Sequence, residues 1–143
     1  MRGANRDGAE RIARHYKYSL SSAFDRFRSA EAVIVIEDDL LFSPDFYEYF
    51  KFVSPILQED SSVFAVSAWN DNGFKRRVKD VFGLRRTVFF PGLGWLLTRK
   101  LYKEELEQHW PKEHWDHWLR SPEIHRYREV VHPEVLTKIY YFS

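Results

Sequence analysis

The sequence of 143 residues contains no cysteine. A chain without thiols has neither a disulfide framework nor a cysteine nucleophile, and it cannot build a soft thiolate metal site. The sequence also lacks a large excess of positive or negative charge. It has 22 lysines and arginines and 21 aspartates and glutamates, for a net charge of +1. Bulk electrostatics therefore predict neither nucleic acid nor a membrane surface as a partner.

Long apolar runs and phosphate-binding glycine loops are also absent from the sequence. The longest apolar runs, 32–36 and 89–97, are too short to span a bilayer, and the polar opening residues predict no signal peptide. Neither GxxxxGK[ST] nor GxGxxG occurs, so no Walker-type nucleotide site is implied. The length is sufficient for a single core, and we expect one domain.

The most informative segment is 32–39, in which five apolar residues run directly into three carboxylates. The uninterrupted apolar run predicts a strand buried on both faces of a parallel sheet. Glu37, Asp38 and Asp39 would then lie at the carboxyl end of that strand, where open α/β sheets bind ligands. Adjacent carboxylates repel one another, and hard oxygen ligands suit Mg²⁺ or Mn²⁺. The alternative is a solvated strand end followed by a helix cap.

The residues around this segment predict alternating helices and strands. We expect an amphipathic helix from Gly8 to Phe27, with His15 at the border of its apolar stripe. Ser43 and Pro44 predict the start of a second helix, with Ser43 as its N-cap, and 63–69 predicts a second apolar strand. This order is typical of a βαβ unit in an α/β fold. The expected stripe of the first helix consists of Ile12, Tyr16, Leu20, Ala23, Phe24 and Phe27.

Three later segments have more open interpretations. For the basic stretch 75–86 we expect a solvated loop or hairpin, with contact to an anionic group as the alternative. Gly92 and Gly94 stand among large apolar residues and indicate a close approach of the backbone to another strand or to a ligand. The residues from Val135 to Phe142 predict a closing strand.

The segment 111–120 contains the most distinctive candidate for catalysis. Trp115 and Trp118 are three residues apart and share a helical face, while Asp116 and Arg120, four apart, share another and can pair. The simplest interpretation of Asp116 is a surface ion pair. The alternative is a carboxylate that flanking indoles partly desolvate and that serves as a general base. A zinc site built from the nearby histidines is disfavoured, since their spacing is irregular and no fourth ligand is apparent.

Five motifs occur in a distinctive order and cover nearly the whole chain. They are IARHYK at 12–17, IEDDL at 36–40 with PDF at 44–46, VSAWNDNG at 66–73, FFPGLGWLL at 89–97, and WPK at 110–112 with WDHW at 115–118. In this order they resemble the alpha-1,3-mannosyl-glycoprotein 2-beta-N-acetylglucosaminyltransferases (N-acetylglucosaminyltransferase I). The related protein O-mannose beta-1,2-N-acetylglucosaminyltransferases share much of the pattern.

The resemblance implies a partial GT-A-type nucleotide-sugar transferase fold, with a central mixed, mostly parallel sheet and flanking helices. It implies an inverting enzyme that uses Mn²⁺ and moves GlcNAc from UDP-GlcNAc to a terminal mannose of a glycoprotein glycan in β-1,2 linkage. Residues 1–143 would form the central part of the catalytic domain, without the amino-terminal uridine-binding strand–helix unit and the carboxy-terminal domain. The full-length protein would be anchored in the Golgi membrane with a lumenal catalytic domain.

The resemblance also implies roles for individual residues. Asp116 matches the catalytic base and Asp39 the metal ligand, while Glu37 and Asp38 would hold the sugar and the ribose of the donor. The other matches are His15 near the uridine, Arg120 and Arg128 near the donor diphosphate and a mobile loop, and Trp115, Leu93 and Gly94 around the acceptor pocket.

One departure from the family concerns stability, and two other functions stay open. Animal members carry a cysteine pair where this chain has Ala65 and Val130, so a small apolar contact would replace the bridge. The acceptor could instead be an O-mannosyl glycan, or the chain could be a non-catalytic glycan-binding fragment of the same fold. A two-metal hydrolase is disfavoured, since no second acidic cluster follows another predicted strand.

Overall fold

The computed structural model describes residues 2–73, 76–135 and 140–141, with side chains described for 8–73 and 76–135. The chain divides into two compact units. Unit 1 comprises Met1–Val33 and Thr98–Arg126, and unit 2 comprises Ile34–Leu97 and Tyr127–Ser143. Within the described part of the chain, every helix is too short or too polar to traverse a lipid bilayer.

Unit 1 is helical. Its long helix α1 (Arg2–Arg26) is followed, after residues of unit 2, by α4 (Arg99–Leu101), which continues into a π-helical turn (Tyr102–Leu106) and a 3-10 turn (Glu107–His109). Two short helices, α5 (Trp115–Leu119) and α6 (Pro122–His125), complete the unit. The Arg99 guanidinium donates to the carbonyls of Phe27 at 2.6 Å and Ala30 at 2.8 Å, just beyond the end of α1. A cation at this position complements the helix dipole.

The buried stripe of α1 differs in part from the predicted one. Leu20 and Phe24 are buried as expected, but Ile12 and Phe27 are 55% and 59% exposed. Ala13, outside the predicted stripe, is completely buried, and the Trp110 indole N–H donates to its carbonyl at 2.9 Å. A partner almost a hundred residues away in sequence therefore determines which edge of the helix faces the core, and helical periodicity carries no signal for it.

Unit 2 holds most of a five-stranded mixed sheet with the strand order β1-β5-β3-β6-β4. β3 pairs in parallel with β6 and antiparallel with β5, and β4 pairs antiparallel with β6. The predicted mixed α/β sheet is confirmed, but parallel pairs do not predominate among these three. The strands are β1 (Ala32–Val35), β3 (Val63–Ser67), β4 (Leu84–Thr87), β5 (Trp95–Thr98) and β6 (Glu129–Pro133).

A second, two-stranded sheet pairs β2 (Leu40–Leu41) antiparallel with β7 (Tyr140–Tyr141). β7 lies within the predicted closing strand, and 136–139 and 142 of that prediction lie outside the described residues. Only two residues of the predicted strand can therefore be compared with the structure.

The central strand of the sheet is β3 rather than β1. All five residues of β3 are buried, whereas the four residues of β1 are half-buried and β1 lies at one edge of the described sheet. The prediction that 32–36 is covered on both faces is therefore wrong. An uninterrupted apolar run shows that a strand contacts the core, but it does not fix the position of that strand in the sheet.

The expected contact between Ala65 and Val130 is confirmed. The two residues are paired in register across the parallel β3–β6 ladder, and both are buried, at 0% and 2% exposure. Side chains that are paired in this way project from the same face of the sheet, where they pack side by side because adjacent strands are about 4.8 Å apart. The central ladder is consequently held by packing and backbone hydrogen bonds.

The helix that follows β2 begins later than predicted. α2 spans Phe46–Val53 with Asp45 at its N-cap, so the prediction that Ser43 is the N-cap is wrong. Ser43 instead contributes its backbone carbonyl, which accepts from the Phe46 N–H at 3.1 Å in a turn before the helix. The helix restarts as α3 (Ile56–Glu59) directly after Pro55, as expected for a proline.

Candidate active site

The acidic segment lies at the end of a strand, as predicted. β1 ends at Val35, Asp38 and Asp39 form a turn, and β2 begins at Leu40. Glu37 is half-buried, whereas Asp38 and Asp39 are exposed. Among the described residues neither of these two aspartates has an ion pair, so their carboxylate oxygens are accessible.

The chemistry of these oxygens fits a hard divalent cation such as Mn²⁺. In the described part of the chain, no three histidine, cysteine, aspartate or glutamate side chains converge on one point as metal ligands. A cation at Asp39 would therefore have fewer than three ligands from the described side chains of these types, and water or oxygens of a bound ligand would help to complete its shell. Mg²⁺ and related ions are commonly bound in this way together with substrate phosphates.

The glycine segment after β4 is fixed against the carboxyl end of β3. Gly92 and Gly94 have φ angles of 78° and 51°, in the left-handed region that favours glycine. The Gly94 carbonyl accepts from the Ala68 N–H at 2.7 Å, and the Leu93 carbonyl accepts from the Ser67 hydroxyl at 3.2 Å. The close approach predicted for these glycines is thus confirmed at Gly94, where the partner is the end of β3 in the same sheet.

The same strand end is held by two further contacts. The hydroxyl of the half-buried Tyr49 donates to the Ser67 carbonyl at 2.7 Å, and desolvation raises the pKa of this phenol. The Asn70 amide donates to the carbonyls of Pro133 and Glu134 at 3.0 and 2.7 Å, which joins the end of β3 to the end of β6. The surroundings of Leu93 and Gly94 are therefore rigidly defined in unit 2.

The basic stretch forms a loop and strand β4 whose arginines are paired within the protein. Arg85 donates from Nε and Nη2 to Glu134 Oε2 at 3.1 and 2.7 Å, while the Lys79 N–H donates to the other oxygen of this buried carboxylate at 2.8 Å. Arg86 pairs with Asp60 at 2.6 Å. The expected loop or hairpin is confirmed for 76–86, whereas Lys75 lies outside the described residues.

Sequence reasoning missed Glu134, which organises this loop. Hydrogen bonds from the backbone of Lys79 hold its pKa below the ordinary value against the opposing effect of desolvation, and Arg85 adds to the depression. A glutamate after His132 and Pro133 at the end of a strand has no distinctive pattern. Only the fold brings it to a loop 50 residues earlier in the chain.

Arg128 is the remaining candidate in unit 2. It is half-buried beside the start of β6, and its guanidinium lies over the Phe64 ring at 5.1 Å from the centroid. Tyr127, the residue before it, has a φ angle of 58°, which a non-glycine residue adopts only at a cost in energy. A strained backbone next to a candidate ligand-binding arginine is typical of functional loops.

Unit 1 contains Asp116 in the first turn of α5. The Arg120 guanidinium donates from Nη1 to Asp116 Oδ2 at 2.9 Å, so the predicted ion pair is confirmed. The Asp116 side chain remains 34% exposed, and the exposed His117 ring lies 3.9 Å from the same oxygen. Among the described residues, the hydrogen bond and both ion pairs of Asp116 involve Oδ2.

An aromatic cluster holds the helix that carries Asp116. Trp115 is 7% exposed and stacks on Tyr16 at a centroid distance of 3.9 Å, and it stacks on Trp110 at 6.4 Å. Trp118 meets the same Trp110 ring edge-on at 5.5 Å, which confirms that Trp115 and Trp118 share a helical face. The preceding His114 has a φ angle of 52°, so the helix begins from a strained residue.

His15 and the other candidates can now be assigned to their units. His15 is exposed on α1 in unit 1, which also contains Trp115, Asp116 and Arg120. The structure brings Trp115, Asp116 and Arg120 together: the first two lie on α5, and Arg120 is its C-cap residue. Unit 2 contains Glu37, Asp38, Asp39, Leu93, Gly94 and Arg128.

The family model described as GNT-I family matches residues 5–143. The chain belongs to the GNT-I family. A relative from Arabidopsis thaliana, named alpha-1,3-mannosyl-glycoprotein 2-beta-N-acetylglucosaminyltransferase, is 45% identical over 125 residues, which cover 87% of this chain. The GNT-I match confirms the resemblance that the ordered motifs indicate. The matched region spans 28% of the length of the Arabidopsis relative.

Proposed function

We propose that this chain carries catalytic residues of an inverting N-acetylglucosaminyltransferase. The enzyme moves GlcNAc from UDP-GlcNAc to a hydroxyl of a terminal mannose in a glycoprotein glycan, in β-1,2 linkage. The observation that supports the proposal most strongly is the GNT-I match over 5–143, which includes both the acidic segment and Asp116. We further propose a GT-A-type fold in which residues 1–143 form the central part of the catalytic domain. The full-length protein would be anchored in the Golgi membrane, with this domain in the lumen.

Asp116 is the proposed general base of this reaction. Inversion in a single displacement requires one group to take the proton of the attacking mannose hydroxyl. Arg120 holds Oδ2 of Asp116 at 2.9 Å, so the carboxylate has a fixed orientation and Oδ1 is left to receive the proton. The side chain is half-exposed, which leaves it accessible to an acceptor. No covalent nucleophile is required.

Asp39 is the proposed ligand of Mn²⁺, and the neighbouring acids would hold the donor. When bound, the cation would supply neutralising charge for the departing diphosphate. Asp38 and Glu37 would accept hydrogen bonds from the ribose and from the transferred sugar. His15 would contact the uridine, and Arg128 would contribute positive charge near the diphosphate. The accessible oxygens of Asp38 and Asp39 support this assignment.

Trp115 in unit 1 and, separately, the backbone of Leu93 and Gly94 in unit 2 are the residues proposed to contact the acceptor. The carbonyls of Leu93 and Gly94 already accept hydrogen bonds from β3, so these residues would act through the shape of a fixed backbone. The ion pair between Arg120 and Asp116 at 2.9 Å supports assigning Arg120 to the orientation of the base in preference to the donor diphosphate.

Titration calorimetry with UDP-GlcNAc in the presence and absence of Mn²⁺ tests the proposed function. The protein should be produced with any coding sequence that flanks this segment. We expect heat that depends on Mn²⁺, lost in Asp39→Asn and retained in Asp45→Asn, an exposed aspartate six residues later with no side-chain cap. No metal-dependent heat in the unsubstituted protein would instead support a glycan-binding module. Equal heat in Asp39→Asn would refute the assigned metal ligand.

A further inference from the structure

We propose that Tyr16 and Trp110 are positioning residues for Asp116, and this proposal rests on the proposed role of Asp116 as the base. Both residues stack on Trp115, the residue directly before Asp116. The Tyr16 and Trp115 planes are 28° apart, and those of Trp110 and Trp115 are 11° apart. Stacked rings in contact restrict one another in both distance and tilt.

The short helix α5 cannot hold Asp116 in place by itself. It has only five residues, and its N-cap residue His114 provides no side-chain hydrogen bond. Helices of this length are unstable in isolation, because nucleation is unfavourable and few hydrogen bonds follow it. The buried Trp115 and Leu119 therefore fix the orientation of α5 through packing. Since Asp116 follows Trp115 by one residue, a rotation of the Trp115 ring and backbone redirects the carboxylate.

The cluster is anchored to α1 by two independent contacts. The Trp110 indole N–H donates to the Ala13 carbonyl in a buried hydrogen bond of 2.9 Å. Tyr16, one helical turn after Ala13, supplies the stacking ring for Trp115. The same indole meets Tyr102 edge-on at 6.1 Å, so it contacts the π-helical turn as well. The path from α1 to Trp115 consists of neighbouring aromatic rings and one hydrogen bond, and the backbone joins Trp115 to Asp116.

The chain offers a matched control for this path. Phe24, two turns after Tyr16 on the same helix, stacks on Tyr102 with centroids 5.5 Å apart and planes 27° apart. Phe24 is fully buried, so Phe24→Leu removes at least as much packing as Tyr16→Leu. It does so at a ring pair that does not include Trp115. The two variants therefore separate a general loss of packing from a change at Asp116.

The test measures kcat, KM for UDP-GlcNAc and the unfolding temperature of Tyr16→Leu, Tyr16→Phe and Phe24→Leu in the protein with its flanking coding sequence. We expect Tyr16→Leu to lower kcat about 10- to 100-fold with little change in KM, as a small misplacement of a reacting group does. Tyr16→Phe should retain kcat because it keeps the ring. Phe24→Leu should lower the unfolding temperature at least as much as Tyr16→Leu while leaving kcat unchanged.

Circular dichroism supplies a readout that does not depend on activity. In a Trp118→Phe background, which removes the other indole partner of Trp110, the stacked indoles of Trp110 and Trp115 should give an exciton couplet that Trp110→Phe abolishes, Tyr16→Leu weakens and Phe24→Leu preserves. An unchanged couplet or an unchanged kcat in Tyr16→Leu would overturn the proposal, as would an equal loss of kcat in Phe24→Leu. Asp116→Asn is measured in parallel. Full activity in that variant would refute the base and the positioning role together, whereas an inactive Asp116→Asn with an active Tyr16→Leu would refute positioning alone.

Discussion

The hydroxyl of Tyr102 links the π-helical turn to α1, and its removal should weaken unit 1 by a predictable amount. The Tyr102 oxygen lies 2.8 Å from Ser21 Oγ and 3.1 Å from the Lys17 carbonyl, and the side chain is completely buried. Ser21 in turn donates its one proton to Glu107 Oε1 at 2.7 Å. A carboxylate oxygen only accepts, so the bond to Glu107 uses the single Ser21 proton. Ser21 therefore accepts from the Tyr102 hydroxyl and does not donate to it.

This arrangement fixes the magnitude of the expected effect. The single Tyr102 proton is shared between Ser21 and the Lys17 carbonyl, so Tyr102→Phe removes the equivalent of one buried hydrogen bond. The net contribution of such a bond is about 1 kcal/mol. The aromatic ring and its packing on Phe24 are retained, so no further loss from a cavity is expected. We therefore expect the free energy of unfolding to fall by about 1 kcal/mol, equivalent to about 3 °C in a chain of this size.

Urea unfolding followed by circular dichroism measures this difference, with Tyr18→Phe as the control. Tyr18 lies on the same helix but is 71% exposed, so the loss of its hydroxyl should leave the free energy of unfolding unchanged. A double-mutant cycle with Ser21→Ala should also show coupling between the two hydroxyls, since they share one proton. Equal stability of Tyr102→Phe and Tyr18→Phe, or strict additivity in the cycle, would refute this account of the hydroxyl network.

Two other predictions concern the loop held by Glu134 and the charge pair at Arg86. Gly83→Ala would place a Cβ 2.9 Å from Glu134 Oε2 and should lower the unfolding temperature, whereas Gly8→Ala, with no atom within 4 Å of its Cβ, should preserve or raise it. Hydrogen bonds from the Ser62 side chain, and then from Arg86, lower the pKa of Asp60 to about 2. Its stabilising effect is present above the ordinary pKa of 3.8 and is lost as the pH falls toward 2. NMR titration should show this midpoint, and Arg86→Gln should raise it; an unchanged midpoint would contradict the assigned cause.

Local and ordered patterns in the sequence predicted the local structure around several candidate residues. The acids were placed correctly at a strand end, and the pairing of Asp116 with Arg120 follows from helical spacing alone. The glycines at 92 and 94 were recognised because two residues without a side chain stand among large apolar residues. Each of these features depends on residues close together in the chain, which is why it leaves a pattern in the sequence.

The features that sequence reasoning missed depend on residues far apart in the chain. The edge position of β1 is a property of strand order, and a run of apolar residues contains no information about it. The burial of Ala13 requires Trp110, and the loop around Lys79 requires Glu134. The late start of α2 shows a related limit. Ser43 and Pro44 form a turn before the helix, although the same residue types also serve as a cap.

The most direct test of the central claim is the rate of GlcNAc transfer in Asp116→Asn. Removal of a general base should lower kcat about 100- to 10,000-fold, while the Mn²⁺-dependent heat of UDP-GlcNAc binding stays unchanged. Glu104→Gln is the control, because it neutralises an exposed acidic residue in the same unit. This variant should transfer GlcNAc at the rate of the unsubstituted protein. Transfer by Asp116→Asn at the rate of Glu104→Gln would contradict the assignment of Asp116 as the base.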